Sequence, residues 1–479
     1  MSRWGTAIWG TSTWPSLTVA SLLQQPPSTS HGVPSGLGDW RFSVEILLPL
    51  DGTAIWGVAT WGDSAWNVLG WVDITEWMRG LAWERGSDEP YGRPRVGELT
   101  LTLDSTGDRW NPWNPTPPSG SPAYFSCGTI IRVGLRSATD TRANGWIPQI
   151  TAIVDEWSPE YVQGNADRYV DVTAVETLRD LATIDDNALT GVVGGGEDPV
   201  VRMERLLDAA QWKYGLRVEA QQILFAPASY PLQSTDMANN RLAECYLVGD
   251  SCDAQVRTDR TGALLMTNIE YIGTDGPADA DILPLFDFSN DGVSPYIGFD
   301  YYERTLSDVR YVPYDLDSFH STNSDDSVIN DVRFARVGGT QQVFEQLASI
   351  ERYGRRTLVR NDLIVNSDLV ALQIAQYTSI RRALNTLRVN NVTVQVTDRG
   401  TEAGLVTAAA DIQSKTRVFP PDGGTGDGSP RPYINGYIAS MRHEITARNP
   451  TSISWVASFG IDTRTVNRIP AAQLPATPA

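Results

Sequence analysis

A chain of 479 residues, 41% apolar and 20% charged, is too long for one ordinary core and is expected to fold as about two to four domains. Its net charge of −19 argues against a basic surface that grips nucleic acid, and no apolar stretch is long enough for a membrane-spanning helix. The N-terminus lacks the basic region, continuous apolar core and cleavage site of a signal peptide.

The first residues carry a Trp/Gly repeat. "TAIWGTSTW" (6–14) and "TAIWGVATWGDSAW" (53–66) place Trp4, Trp9 and Trp14, then Trp56, Trp61 and Trp66, five residues apart, and Trp71 continues the period. Five residues spiral around a helix and alternate faces on a strand, so the rings line neither. Gly after Trp4, Trp9, Trp56 and Trp61 points to short turns or tight hairpins. Ten of the sixteen tryptophans precede residue 84. Packing anchors are the favoured reading; a contact surface for a partner or a glycan is the other. The Pro/Ser/Gly-rich stretch 24–38 makes 1–39 an arm and linker.

From residue 40 the period becomes two. "FSVEI", "VDITEWM", "GELTLTLD" (Leu99, Leu101, Leu103), "IIRVGL" (Ile131, Val133, Leu135), "QITAIVDEW" and "RYVDVTAV" predict an antiparallel sheet with one wet face. "VETLRDLA" predicts a short helix that closes a first β domain at 40–188. In "DRWNPWNPTPPSG" (108–120) two Asn-Pro pairs stiffen a loop anchored by Trp110 and Trp113, either a docking feature or a core plug.

Residues 189–290 read as a small mixed α/β insert. A helix starts at Pro199 with Val200, Met203, Leu206, Leu207 and Ala210 as its stripe. "NNRLAECYLVGD" is a second helix, and "AQVRTDRTGALLMTN" a hairpin around Thr261–Gly262. A second β domain is expected at 291–468, with strands at "DVRYVPY", "INDVRFARVGG", "NVTVQVTD", "NGYIASMRHEIT" and "SISWVASFGID". Within it the spacing of Val370, Ile374, Tyr377, Ile380, Leu384 and Leu387 predicts a long helix. Residues 469–479 read as a loose tail. The fold class expected is mainly β (α+β): two related antiparallel β-barrel or sandwich domains with helices, plus the small mixed insert.

Chemistry is sparse. Cys127, Cys245 and Cys252 form neither a disulfide framework nor a metal set, and His31, His320 and His443 are scattered. Formation in a reducing cytoplasm, with no cofactor and no metal, is expected. The glycine run at 194–196 lacks the Gly-Lys-Ser/Thr of a phosphate loop. "DFSNDG" (Asp287, Ser289, Asp291, Gly292) begins like a calcium loop, but its twelfth position is Gly298 where a bidentate Glu is required. Asp279 and Asp281 read as a solvated acidic loop, residues 420–432 as a mobile loop, and His443, alone on a strand, as structural. No catalytic residue is assigned, and an enzyme is not expected.

"WVDITEWMRGLAWERGSDEPYGRPRVGELTLTLDSTGDRWNPWNP" (71–115) resembles the opening of minor tail proteins of actinobacterial siphophages, through Val72–Ile74, Arg85–Gly86, Leu101–Asp104 and Gly107–Pro115. "VDEWSPEY" with "RYVDVTAVETLRDLA", "ASIERYGRR" (348–356) with the helix after it, and "INGYIASMRHEIT" with "ISWVASFGID" are similar to later blocks of such proteins, in the same order. Arg outnumbers Lys heavily, Lys213 and Lys415 being the only lysines, as in a GC-rich genome.

The resemblance implies a tail hub: two tail-tube-like β domains per chain, three chains per ring, at the distal end of the tail of a virion made in the host cytoplasm. The implied partners are a second and third copy, distal tail or tube proteins, other tip, baseplate or fibre proteins, and tape-measure protein and DNA passing through the lumen without specific binding. An acidic chain suits such a channel, because like charge prevents sticking. Larger relatives carry peptidase, lysozyme or receptor-binding regions after the closing hairpin, and none is evident here. The alternative is a β-rich protein that binds host-wall glycans through Trp4, Trp9, Trp14, Trp56, Trp61, Trp66, Trp110 and Trp113.

Overall fold

The structure, a computed structural model, describes residues 40–49, 53–54, 65–66, 69–87, 93–110, 127–137, 146–160, 168–184, 192–219, 231–236, 240–268, 296–299, 310–398, 404, 407–408, 410–412, 415–419, 434–449 and 452–462. The chain is mainly β. Its first part runs β1 (Trp40–Pro49), β2 (Thr53–Ala54), β3 (Ala65–Trp66), β4 (Leu69–Asp73), a 3-10 turn Thr75–Trp77, β5 (Met78–Gly86), β6 (Arg95–Asp104), β7 (Ile130–Ser137), β8 (Ile147–Glu160) and β9 (Tyr169–Glu176). The antiparallel order is β4-β1-β7-β8-β9-β6-β5, with β2 and β3 paired apart. Alternation sets the register: Leu99, Leu101 and Leu103 face Ala174, Val172 and Val170 across the ladder, and all six are almost wholly buried.

A mixed segment follows: a short helix Leu178–Ala182, β10 (Val192–Val193), a helix Pro199–Ala209, β11 (Leu216–Glu219), β12 (Thr235–Asp236), a helix Arg241–Ser251, β13 (Ala254–Thr258) and β14 (Leu264–Asn268). Asp198 caps the second helix by accepting from the Val200 N–H at 2.8 Å, with Pro199 at its first position. Asn240 caps the third in the same way, from Leu242 at 3.1 Å. The β13–β14 hairpin turns on Asp259, whose carboxylate accepts from the Thr261 and Ala263 N–H groups at 2.9 and 3.0 Å.

The remaining strands are β15 (Tyr296–Phe299), β16 (Arg310–Pro313), β17 (His320–Ser324), β18 (Asp331–Arg336), β19 (Gln342–Glu345), β20 (Thr357–Leu363), β21 (Thr386–Gln395), β22 (Lys415–Phe419), β23 (Ile434–Asn449) and β24 (Ser452–Asp462). A 3-10 turn Leu316–Ser318 precedes β17, and helices Leu347–Tyr353 and Asp368–Arg382 flank β20. The strand order β16-β15-β22-β23-β24-β21-β17 repeats the first unit strand for strand, with β15, β16, β17, β21, β22, β23 and β24 in the places of β1, β4, β5, β6, β7, β8 and β9. Each unit has a 3-10 turn before its third strand. Each also has an irregularity at the same point of its long hairpin, between Val154 and Glu156 and between Ile438 and Ser440. The chain carries one seven-strand topology twice.

Two local departures from the sequence expectation have clear causes. The run "VDITEWM" is strand only to Asp73, because the Asp73 carboxylate accepts from the Thr75 N–H at 2.9 Å and its hydroxyl at 2.5 Å, which turns the chain into the 3-10 segment. The long helix stops at Arg382, short of Leu384 and Leu387, and Leu387 lies in β21. There the Ala383 carbonyl accepts from the Ser349 hydroxyl, and the run from Thr386 is rich in β-branched residues.

Apolar residues of both sheet units, among them Phe42, Leu101, Val172, Ile445 and Phe459, form one continuous core. A second core gathers Leu206, Val248, Val256, Val332, Ala371 and Ile374. The helix Asp368–Arg382 lies between strands of the second unit in sequence but packs with the 199–268 segment in space. Ile374→Ala, at a site only 2% exposed, should destabilise this second core by about 2–5 kcal/mol. Amide exchange should then accelerate together in 199–209, 241–251 and 368–382, while β23 and β24 keep their protection; faster exchange confined to 368–382 would contradict a shared core.

Candidate assembly surface

The two sheet units meet edge to edge. Strand β5 pairs antiparallel with β23 from Gly80↔Thr446 to Gly86↔Ser440, so their strands make one 14-stranded sheet. At 16 residues, β23 is long enough to pair β22 with its first part and β5 with its later part, while β24 runs along its other edge. Gly86 has φ +107°, and a Cβ there would collide with the Ala439 carbonyl, which accepts from the Ser87 N–H at 2.8 Å. Only glycine fits this corner.

The joint is apolar at its centre. Trp83 stacks on His443 at 4.6 Å, and both are buried. The Trp455 indole N–H donates to His443 Nδ1 at 3.2 Å, and Phe459 meets the imidazole edge-on. Burial first, and Arg260 nearby, push the His443 pKa down to about 3, so the imidazole is neutral. With Nδ1 accepting, Nε2 carries the proton, buried and with no hydrogen-bond partner among the described residues.

A buried ionic cluster bolts three parts of the chain together. The Arg85 guanidinium pairs with Glu176 at 2.5 Å and Asp411 at 2.8 Å, and donates to the Thr258 carbonyl at 2.8 Å. Glu176 also accepts from the Gly97 N–H at 2.9 Å. Arg260 pairs with Asp411 at 3.2 Å and donates to the carbonyls of Ala408 at 2.7 Å, Pro148 at 3.2 Å and Ala410. Thr177 and Thr151 hydroxyls donate to the carbonyls of Gly262 at 2.7 Å and Arg260 at 3.0 Å. Gly262, at φ +87°, leaves room for this contact, since its Cβ would press on Thr177. The first sheet unit, the β13–β14 turn and the 407–412 segment thus converge on two guanidiniums. Burial alone would raise the Asp411 carboxyl, but Arg260, Arg85 and Arg257 hold it well below the usual carboxylate range. Arg85, which burial would lower, is raised by Glu176 and Asp411.

The β5–β23 joint also shows what is left open. Strand β17 occupies in the second unit the place of β5 in the first, and it pairs with β21 alone among the described strands. Strand β8 occupies the place of β23, and beyond Val154 it pairs, among the described strands, with β9 alone. One unit therefore presents an edge like that of β5, and the other an edge like that of β23.

Of the tryptophans singled out in the sequence, Trp110 is buried. It packs against Trp77 at 5.3 Å and Trp157 at 6.0 Å and donates to the Asp104 carbonyl at 2.9 Å, the place of a core plug. Trp66 lies in β3. Trp4, Trp9, Trp14, Trp56, Trp61 and Trp113 lie outside the described residues, as do Asp279, Asp281, Asp287, Ser289, Asp291, Gly292 and the 420–432 loop. Gly298 stands in β15. The Gly194 carbonyl of the glycine run accepts from buried Arg202 at 2.6 Å. Among the described residues no group of three or more His, Cys, Asp or Glu is placed to hold a metal ion. The Arg85, Glu176, Asp411 and Arg260 cluster was not among the sequence candidates. Its signal was there: Arg85 follows Leu81 and Trp83, Glu176 follows Val172 and Ala174, and His443 follows Met441, each polar residue on the inward phase of a strand.

No protein-family model matches the chain, and no curated protein matches it. Among solved structures, a tail protein from Neisseria meningitidis MC58 aligns at TM-score 0.49 and 11% identity, over 88% of this chain and 96% of the other. The 43 kDa tail protein of prophage MuSo2 from Shewanella oneidensis aligns at 0.48 and 13%, over 88% and 98%. Prophage tail protein gp18 from Listeria monocytogenes EGD-e aligns at 0.40 and 10%, over 87% and 94%.

Two outcomes follow from the buried polar groups. Asp411→Asn removes one of the carboxylates that balance the buried Arg85 and Arg260 guanidiniums and should cost on the order of 3–5 kcal/mol in urea denaturation at pH 7; a loss below about 1 kcal/mol, the scale of an exposed pair, would contradict the bolt. His443 is held below its unfolded pKa, so its contribution is complete above about pH 6.5 and is lost as pH falls toward 3. Stability should drop by on the order of 2 kcal/mol between pH 7 and pH 5, and His443→Phe should flatten that slope; an unchanged slope would contradict a neutral buried imidazole.

Proposed function

We propose that this chain is a structural protein of a phage tail, of the kind found in actinobacterial siphophages, that forms a trimeric hub at the distal tip. The observation that carries the proposal is the duplicated seven-strand topology, joined edge to edge within one chain. Three such chains in a ring present six alike sheet units, which lets a three-fold tip continue a six-fold tube. The piecewise sequence resemblance, in the same order over most of residues 40–465, supports the same role. The proposed partners are two further copies, the distal tail or tube ring, other tip or fibre proteins, and a lumen through which tape-measure protein and DNA pass unbound. The net charge of −19 suits that lumen. The role is architectural, with no catalytic step.

Light scattering on the purified chain should give three times its 52.5 kDa, and antibodies against it should label the tail tip of the virions that carry it. A monomer at every concentration, or label elsewhere on the virion, would contradict the hub.

A further inference from the structure

We propose that the outer face of the β19-β18-β20 sheet is a docking surface for another protein of the tail, one that presents carboxylates beside aliphatic side chains. This rests on the tail reading and not on the ring.

The period of two decides which side chains share this face. Phe344, Val332 and Leu358 form one rung across the three strands and pack into the second core. The rungs on either side of it point the other way. One is Val343, Arg333 and Val359, and the other is Glu345, Asp331 and Thr357. Val343 is 46% exposed and Val359 50%. Leu347, two residues on from Glu345 at the start of the helix Leu347–Tyr353, is 72% exposed. Of the eight large apolar side chains that are exposed among the described residues, five lie between Val337 and Leu369. Apolar residues scattered singly over a surface are ordinary, whereas their gathering on one insertion marks a contact surface.

Two guanidiniums stand among these aliphatic groups, pinned from beneath. The Asp331 carboxylate has no exposure and accepts from Arg333 at 3.0 Å, Arg355 at 2.9 Å and the Thr357 hydroxyl at 2.8 Å. The Arg333 bonds first, then those of Arg355 and Thr357, hold its carboxyl down to about 2 against the cost of burial. Arg355 also pairs with Glu345. Both guanidiniums remain half-exposed and keep donors unused: Nη1 of Arg333, and Nε and Nη2 of Arg355, bond nothing among the described residues.

Charge decides the occupant. Of the two carboxylates that balance these guanidiniums, Asp331 is buried and Glu345 is tied to Arg355, so the outward donors call for carboxylates from a partner. A guanidinium held in place meets a carboxylate with little further ordering, and Arg beside aliphatic groups is the composition of an interface centre. Residues 325–382 hold eight Arg and seven Asp or Glu, a net of +1 in a chain of −19. An acidic neighbour that the rest of the chain repels can approach here. The same −19 opposes a nucleic-acid backbone. A second copy meeting this face to face would set guanidinium against guanidinium.

Photo-cross-linking tests this. A benzoyl-phenylalanine is placed at position 359 of the full chain, infected cells and virions are irradiated, and the adducts are mapped by mass spectrometry. One adduct to a different tail protein is expected, at a segment where Asp or Glu alternate or lie next to aliphatic residues. Val343→Asp in the same chain should lower its yield by about tenfold, through like-charge repulsion, while Val343→Lys should keep it. Both variants put a charge at the same exposed site, so an equal loss in the two would overturn the charge match. An adduct to another copy of this chain, or to nucleic acid, would overturn the assigned partner. The chain present in virions with no adduct overturns this surface and leaves the tail reading standing. The chain missing from virions overturns the tail reading, and this surface with it.

Discussion

A strand at the edge of a sheet has one side of its backbone unpaired, and burial makes that untenable. In this chain the constraint is met at β5 by a strand from the other half of the sequence. The β5–β23 ladder is the interaction on which the rest depends. It fuses two seven-strand units into one sheet and merges their apolar faces into one core. It also encloses His443, which is tolerated as a neutral imidazole stacked on Trp83. The Arg85, Glu176, Asp411 and Arg260 cluster then fixes the β13–β14 hairpin against the first unit. Buried ion pairs of this kind hold a geometry more than they add stability, because desolvation offsets much of their attraction.

Much of this was legible in the residues. Alternation placed Leu99, Leu101 and Leu103 on one face, and Ile453, Trp455, Ala457, Phe459 and Ile461 on another, and all of them are buried. The helix at 368–382 was legible from its period, but its end was not. Leu384 and Leu387 continue the spacing by coincidence, while the β-branched run from Thr386 and the Ser349 contact decide otherwise. Strand order was not legible, because ladder partners such as Trp83 and His443 are hundreds of residues apart and leave no local signal. The second core was hidden for the same reason: Ile374 and Leu206 share it only because the two insertions pack on each other. Arg85 and Glu176 were overlooked because charged residues on an inward strand phase look like pattern noise until their partner is seen.

In the proposed tail role, the duplication lets one chain supply two alike units at a place between different symmetries. A single chain with two alike units and one internal joint needs only one further joint type to make a closed ring. The insertions hang from the sheet at two points, after β9 and between β17 and β21, and pack on each other instead of lengthening the sheet. In that proposed role the sheet is the repeating wall, and the inserts differ between the halves.

The most direct test of this account is an electron cryomicroscopy reconstruction of the assembled protein. The account expects a three-fold ring of six alike sheet units, joined two by two through the β5–β23 ladder within each chain. A ring with another number of chains, or a sheet broken between β5 and β23, would contradict it.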